Sequence, residues 1–400
     1  QYSYLNYSAP SLMFKDKITQ WIIAICAIVP TWVAISQFNA SSKSIENIEQ
    51  ESSNSTSHEN EKSTQTDNFL AVAKEINGRY GFIDRKGNPV IPFVYDEAGS
   101  FSEGLAAVNQ NGKYGYIDKD NQLIIPMHYD GAGSFSEGLA IVLKNGLFGF
   151  INYKGKEVIP CIHKNVSSFS NGLAEIKDEV SNLSGYIDQT GDTVIPIQFT
   201  RAWRFVDGFA VVRKLATSGR RKSTRKMFID KSGGIVFPNY EPDLARFSEG
   251  FAPVVRKEDD VSCLINTDGV EVLPGFDNYS YFENGLTDVE KNGRIILIDK
   301  KGSQVLDLGP SESESYPWLF FEGYSEGRIL IGQDWYDYDK YGFLDRSGNQ
   351  VIPYQYDQAR VFSGGLAAVS IADSLGFINK KGEVIISLKY ASVGNFVEME

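Results

Sequence analysis

Short apolar runs separated by polar turns fill the chain after residue 68, and the runs are too brief for helices. Residues 104–108 are apolar, and Asn111-Gly112 is a strong hairpin turn because both positions tolerate positive φ. Residues 114–118 then alternate aromatic and small side chains, as a strand does. The next apolar run ends at Pro126, which cannot donate to a ladder. The pattern therefore predicts an all-β protein.

This pattern is repeated. Ser-Phe-Ser-Glu-Gly-Leu-Ala-Ala-Val at residues 100–108 returns as Ser-Phe-Ser-Glu-Gly-Leu-Ala-Ile-Val at residues 134–142, so the period is roughly 34 residues. Two positions recur in almost every unit. The residue after Gly-Phe-Ile is Asp84, Asp118, Asn152, Asp188, Asp230, Asn266, Asp299, Asp345 or Asn379. The glycine of Phe-Ser-Glu-Gly is Gly104, Gly138, Gly172, Gly208, Gly250, Gly285, Gly327 or Gly365.

Nine units lie between Phe69 and Phe396, and they must stack. One unit of three or four strands cannot bury enough apolar surface to offset the entropy of ordering it. Because the ends of the array coincide with whole units, we expect an open, curved array or superhelix of about nine antiparallel β repeats. A closed, propeller-like ring is the alternative.

The units resemble the WG-repeat family of bacterial proteins, which read roughly Lys-Trp-Gly-Phe-Ile-Asp, Val-Ile-Pro, Tyr-Asp and Phe-Ser-Glu-Gly-Leu-Ala. The matching segments here are residues 80–84, 90–92, 95–96 and 101–106, and again from Tyr114 and from Tyr341. The tryptophan is replaced, at Tyr80, Tyr114, Phe148, Ser184, Tyr341 and Leu375. The resemblance covers residues 69–400 and implies an interaction or ligand-binding repeat without any catalytic residue.

An uncharged segment, residues 18–35, precedes the repeats and follows Lys15 and Lys17. At 1.5 Å per residue it spans about 27 Å, close to the hydrocarbon thickness of a bilayer. We expect residues 18–38 to form a transmembrane anchor after a short N-terminal segment, residues 1–17. The lysines favour a cytoplasmic N-terminus with the repeats in the periplasm or at the cell surface. A cleaved signal peptide that yields a secreted protein is the alternative, and a buried apolar segment is a third.

Residues 39–68 are rich in Ser, Asn, Glu and Thr and predict a disordered polar linker. The net charge of −12 argues against nucleic acid as a partner, because phosphate binding needs a basic face. Three cysteines are too few and too scattered for a disulfide framework. No motif or clustered His/Cys set predicts a cofactor or a metal.

The recurring polar and aromatic residues have a structural interpretation. Asn replaces Asp in three of the nine units, so that position needs a short hydrogen-bond acceptor for the turn rather than a charge. The glutamates of Ser-Glu-Gly vary in the same way, which makes them turn residues. The recurring aromatics are expected to be core residues between units, with a ligand-stacking ladder as the alternative: Phe82, Phe101, Tyr116, Phe135, Phe150, Phe169, Phe362 and Phe377.

Two insertions break the repetition. Residues 209–226 include a basic stretch, which is either a solvated loop or a docking site for an anionic surface such as lipid headgroups or an acidic partner. Residues 311–341 combine aromatic and acidic residues, which suits either recognition of carbohydrate or protein, or local repacking of a longer unit. Most insertions fall in the same hairpin of the unit, so they should emerge on one rim. The candidate binding residues are Trp318, Phe320, Tyr324, Trp335, Tyr336, Arg220, Arg221, Lys222 and Arg225.

The sequence thus predicts a membrane-tethered, non-enzymatic binding module whose partner is a protein or an envelope carbohydrate. A structural spacer of the cell envelope without a specific ligand is the first alternative. An enzyme with a site in the 311–341 insertions is the second.

Overall fold

The computed structural model describes residues 68–218, 221–311, 318–334 and 339–399. Residues 66–400 form one compact unit. Within the described residues the secondary structure is all β, with no helix, as the apolar pattern predicts. The strands form nine small antiparallel sheets, which we call blades 1 to 9.

The strands of the described residues, in chain order, are β1 Phe69–Lys74, β2 Tyr80–Ile83, β3 Pro89–Tyr95, β4 Glu97–Ala98, β5 Ala106–Gln110, β6 Lys113–Ile117, β7 Leu123–Tyr129, β8 Gly131–Ser136, β9 Leu139–Lys144, β10 Leu147–Asn152, β11 Glu157–His163, β12 Leu173–Lys177, β13 Ser184–Asp188, β14 Thr193–Phe199, β15 Arg201–Ala202, β16 Phe209–Ser218, β17 Arg221–Asp230, β18 Ile235–Val236, β19 Tyr240–Pro242, β20 Phe251–Arg256, β21 Val261–Asn266, β22 Glu271–Val272, β23 Asn278–Tyr279, β24 Leu286–Lys291, β25 Arg294–Asp299, β26 Gln304–Pro310, β27 Trp318–Ser325, β28 Arg328–Asp334, β29 Lys340–Leu344, β30 Gln350–Tyr356, β31 Gln358–Ala359, β32 Leu366–Ile371, β33 Ser374–Asn379, β34 Val384–Tyr390, β35 Ser392–Val393 and β36 Val397–Glu398.

Blade 1 consists of β1–β3 with β35 and β36. Blades 2 to 9 follow in chain order as β4–β7, β8–β11, β12–β14, β15–β18, β19–β22, β23–β26, β27–β30 and β31–β34. Blade 1 therefore contains both ends of the repeat array. Strands β1, β2 and β3 come from its beginning, while β35 and β36 come from the C-terminus and both pair with β1. The pairs are Ala73 with Val393, Lys74 with Ser392, and Leu70 with Val397. Of the two expected arrangements, the repeats therefore adopt the closed one, a nine-bladed propeller ring.

The inference that the ends of the array coincide with whole units, so that neither end completes a unit begun by the other, is wrong. The first unit starts at its second strand, so it lacks the segment that precedes Gly-Leu-Ala in every other unit. Residues 390–399 supply that segment, and Phe396 occupies the place that Phe101 has in blade 2. The sequence shows two partial units that could complete each other, and the pairing of β1 with β35 and β36 shows that they meet.

The core is divided among the nine interfaces between neighbouring blades. Each apolar cluster draws buried side chains from two consecutive blades. One cluster joins blade 9 to blade 1 through Phe377, Ile386, Ile83 and Phe396. Stability is therefore shared between neighbours, and no blade has a core of its own.

The prediction that the recurring aromatics are core residues is confirmed, because all eight are at most 4% exposed. They meet in pairs at the interfaces. Phe82 lies 4.7 Å from Phe101 between ring centroids, and Tyr116 lies 5.0 Å from Phe135. A ligand could not stack on rings that are buried in this way.

Strand order divides the ring into two rims. Because strands in a blade are antiparallel, the Phe-Ser-Glu-Gly turn and the turn after Gly-Phe-Ile-Asp lie at one end, which we call the turn rim. The hairpin between the second and third strands lies at the other end, the hairpin rim. The chain enters the ring at Asn68, just before a second strand, and therefore on the turn rim.

The N-terminal predictions, namely residues 1–17, the anchor or signal at 18–38 and nearly all of the linker at 39–68, lie outside the described residues. Among the residues that the structure does describe, no helix is long and apolar enough to cross a membrane.

Candidate binding surface

The residue after Gly-Phe-Ile has the same role in all nine units. Its side-chain oxygen accepts hydrogen bonds from two backbone amides of the following turn. Asp118 accepts from Asp120 and Gln122 at 3.0 and 2.8 Å, and Asn152 accepts from Lys154 and Lys156 at 3.0 and 3.1 Å. The other seven units repeat this geometry. The structural interpretation of this position is confirmed.

The acidic residue of Ser-Glu-Gly joins one blade to the next, a role that sequence reasoning missed. Glu103 accepts hydrogen bonds from the amides of Glu137 and Gly138, at 2.8 and 3.1 Å. Glu137 accepts in turn from Asn171 and Gly172. The same turn-to-turn bonds are made by Asn171, Asp207, Glu249 and Glu326. The recurring carboxylates of the turn rim thus hold the ring together.

Two of these carboxylates make stability depend on pH. Burial opposes ionisation of Glu249 and Glu326, but hydrogen bonds from Lys300 and Lys380 and from turn amides outweigh it and lower the pKa of each below the ordinary 4.5. Because folding lowers the pKa, the stabilisation is present above pH 4.5 and is lost as the pH falls through the folded-state values.

We therefore expect the thermal midpoint to fall on acidification below about pH 4.5. The double variant Glu249→Gln/Glu326→Gln should start from a lower midpoint at pH 7 and lose less of it between pH 5 and 3. Calorimetry at stepped pH tests this. A variant whose profile runs parallel to that of the wild type would contradict the assignment.

The basic insertion is a long β-hairpin of blade 5. Strands β16 and β17 pair over ten positions, from Phe209 with Asp230 to Ser218 with Arg221. The corresponding hairpin of blade 2 has five pairs. Four of the additional pairs, from Leu215 with Thr224 to Ser218 with Arg221, lie on the outer side, so at about 3.3 Å per residue they extend the hairpin about 13 Å beyond that of blade 2. We call residues 213–226 the basic finger.

Cations form a row across three strands at the base of this finger. Arg201 on β15 lies opposite Arg213 on β16, which lies opposite Lys226 on β17. The guanidinium of Arg201 lies 4.6 Å from the centre of the Trp203 ring. Like charges directly opposite one another destabilise a sheet. This row is therefore unfavourable for the isolated protein.

The aromatic insertion lengthens blade 8. Its first strand, β27, has eight residues, whereas the first strand of blade 2 has two. The Phe320 ring lies over Gly332, where a Cβ would come within 2.1 Å of it, and its centroid is 6.1 Å from that of Tyr341. Tyr324 occupies the place of the Phe in Phe-Ser-Glu-Gly and packs against the core between blades 7 and 8. These two residues serve the repacking of the longer blade.

The structure describes the candidate residues to different extents. Arg225 is exposed on the basic finger. Trp318, Arg221 and Lys222 lie in paired strands, but their side chains are outside the described set. Trp335, Tyr336 and Arg220 lie outside the described residues altogether. Arg201 and Trp203 were missed, although Arg201 stands where blade 2 has Glu97.

The insertions share one rim, as predicted. The lengthened connections of blades 4, 5, 6 and 8 are all hairpins between second and third strands. The insertion of blade 8 is acidic, whereas that of blade 5 is basic. In blade 8, burial and the nearby charges of Asp339 and Glu283 raise the pKa of Glu322. Among the described residues, no three His, Cys, Asp or Glu side chains are grouped to hold a metal ion.

The family follows from the sequence of these units. The model described as "WG containing repeat" matches residues 80–114, 114–148, 148–179, 185–215, 264–294, 341–373 and 376–398, together more than half of the chain. The chain belongs to this family. Two stretches between matches, residues 216–263 and 295–340, contain most of the basic finger and most of the blade 8 insertion.

The solved structures that match the chain do so with low TM-scores and low sequence identity. Dihydro-heme d1 dehydrogenase NirN, in complex with DHE, is 11% identical with a TM-score of 0.40, over 83% of this chain and 75% of that one. Apo AztD from Citrobacter koseri is 14% identical with a TM-score of 0.33, over 70% and 93%. The uncharacterized protein lmo1340 from Listeria monocytogenes EGD-e is 11% identical with a TM-score of 0.34, over 62% and 90%. No curated protein matches the sequence.

Proposed function

We propose that the propeller is a non-enzymatic binding module that captures a protein or an envelope carbohydrate on its hairpin rim. This proposal rests on the different roles of the recurring polar residues and of the positions that depart from the repeat. The recurring Asp, Asn and Glu side chains accept hydrogen bonds from backbone amides of the turns, so they maintain the ring. Departures from the repeat are concentrated in the hairpins of one rim.

The proposed module is tethered. The uncharged segment at residues 18–35 would anchor it, and a linker of about 30 residues would have a root-mean-square span of roughly 30 Å. The chain enters the ring at Asn68 on the turn rim, and the hairpin rim is the opposite one. A partner in the periplasm or outside the cell could approach that rim freely.

The test is capture by the full chain and by the double variant Trp318→Ala/Trp335→Ala. Truncating interface tryptophans typically costs 2 kcal/mol or more each, so we expect capture from envelope extract, and binding to arrayed envelope glycans, to fall at least about tenfold. Val180→Ala is the control, since this side chain is 97% exposed on the same rim. All variants should keep the thermal midpoint of the wild type.

Absence of specific capture by the wild-type chain would favour the spacer, and unchanged capture by the double tryptophan variant would contradict a site at these tryptophans. The enzyme alternative needs charged groups in the blade 8 insertion. An activity that depends on Asp334, Asp337 or Asp339, lost in the Asn variants while capture is retained, would replace the binding module with that alternative.

A further inference from the structure

The charge row of blade 5 inverts a pattern found in its sister blades. In blade 2 the row across the first three strands is Glu97, Asn109 and Tyr114, and the Tyr114 hydroxyl donates to the Glu97 carboxylate. In blade 9 the first two members are Gln358 and Ser370. Blade 5 places Arg201, Arg213 and Lys226 at the three positions. Cations here are not required by the fold, because the other blades form without them.

The counter-ion that sister blades supply is also missing. The cation at the start of the third strand is paired with an Asp of the next unit in three blades, as Arg79 with Asp96, Lys113 with Asp130 and Lys340 with Asp357. Arg225 is the equivalent in blade 5, and the next unit has Tyr240 in place of the Asp. The Tyr240 hydroxyl donates instead to Glu271.

Few polar contacts of this surface involve carboxylates. Lys226 donates to the carbonyl oxygens of Pro242 and Asp243, and Lys214 donates to the side chain of Gln198. Within the described part of the chain, no ion pair joins Arg201, Arg213 or Arg225 to an acid. Glu175 of blade 4 interacts electrostatically with Arg201, but its carboxylate accepts a hydrogen bond from the Ser184 hydroxyl, at 2.7 Å, rather than from Arg201.

The charge is also concentrated. Residues 213–226 contain seven Lys or Arg and no Asp or Glu, and since the whole chain carries −12, the remainder carries −19. The additional length of about 13 Å keeps the outer part of the finger beyond the ~8–10 Å screening length of the acidic ring. The only large apolar residue in the finger is Leu215, so the surface lacks the aromatic or aliphatic anchors of a protein interface.

We propose that the base of the basic finger, formed by Arg213, Lys214, Arg225 and Lys226, together with Arg201, binds a linear polymer that bears phosphate groups, such as a phosphorylated envelope glycan. This inference rests on the proposed binding function and names its ligand class. Arg201 and Arg213 are directly opposite in the strand pairing, so their side chains leave the same face of the blade, where one group could contact both. The oxygens of a phosphate point in tetrahedral directions and can accept from both guanidinium forks, whereas a planar carboxylate matches one. Cations repeated along the finger suit a chain of charges.

A lipid bilayer is a poorer occupant. Residues 216–222 are Ala, Thr, Ser, Gly, Arg, Arg and Lys, so this part of the finger has no large apolar side chain that could enter the headgroup region.

The test uses the full chain and medium-chain inorganic polyphosphate as the probe, with affinity measured by calorimetry at low and physiological salt. We expect binding that weakens at least about tenfold with added salt. The variant Arg201→Gln/Arg213→Asn replaces the two arginines with the residue types found at the equivalent positions of other blades, Gln358 in blade 9 and Asn109 in blade 2. It should weaken binding at least tenfold while leaving the thermal midpoint equal or higher, because the facing like charges are removed. Arg79→Ala/Lys113→Ala removes the same charge from blades 1 and 2 and should leave affinity within twofold.

Several results would overturn the proposal. These are equal binding by the Arg201/Arg213 variant, an equal loss in the control, or polyglutamate bound as tightly as polyphosphate. Single-stranded DNA bound more tightly than polyphosphate would assign the finger to nucleic acid, and preferred capture by phosphatidylglycerol vesicles would assign it to lipid. Loss of partner capture in the Trp318/Trp335 variant, with polyphosphate binding absent, would leave the binding module standing and remove only this ligand.

Discussion

Deletion of residues 391–400 should open the ring and lower the free energy of unfolding by at least about 5 kcal/mol. The segment carries Val393, Phe396 and Met399, each at most 5% exposed, and burying each such side chain contributes about 1.5–3 kcal/mol. It also supplies the first-strand partner of β1. For a domain of ordinary stability this loss is a large share of the total. Chemical denaturation followed by tryptophan fluorescence measures it.

A covalent closure provides the control. Lys74 and Ser392 lie opposite each other, so Lys74→Cys/Ser392→Cys should form a disulfide on oxidation that peptide mapping can identify. The oxidised form should unfold at a higher denaturant concentration than the reduced form. Failure to cross-link, together with a truncated chain that loses only its last unit, would indicate an open array.

Gly115→Ala should destabilise the protein by roughly 2–3 kcal/mol. A Cβ at this position would lie 2.5 Å from the carbonyl oxygen of Ile125 and 2.9 Å from the amide of Met127, both on strand β7. Those atoms belong to the backbone, so the strands must separate. The contact arises at a bulge, where the pairing shifts between Tyr114 with Tyr129 and Tyr116 with Ile125.

Gly99→Ala is the matched substitution. Its Cβ would meet nothing closer than 3.9 Å, so its effect should be neutral or slightly stabilising through the unfolded chain. Thermal unfolding of both variants decides the matter. If the two shift the midpoint equally, the close approach of β7 is not what requires glycine at residue 115.

The same contact explains which units keep the family glycine. Blades 5 and 6 have Met227 and Cys263 at this position, and their short fourth strands pair without a shift. Blade 7 has Ile296, which is itself paired with Asp307, and a shift lies between Ile295 and Ile296. The glycine at this position is thus a requirement of the bulge in blade 2. It could not be inferred from one sequence, because only the partner strand reveals the collision.

Much of the local design was predictable from residue order. Asn in place of Asp at residues 152, 266 and 379 indicated a hydrogen-bond acceptor, and the turn geometry confirms it. The buried aromatic pairs and the shared rim of the insertions also followed from periodicity. The basic stretch was recognised as an interruption, but its extension as a paired finger and the row formed with Arg201 were not.

The sequence alone determined the β class, the repeat length, the number of units and the positions that depart from the repeat, because each of these is a local, periodic property of the chain. Only the tertiary structure decided that the ring closes, that turn carboxylates link neighbouring blades and that Arg201 faces Arg213. These facts depend on contacts between distant residues. Closure in particular depends on the accumulated angle of nine interfaces, which no single unit specifies.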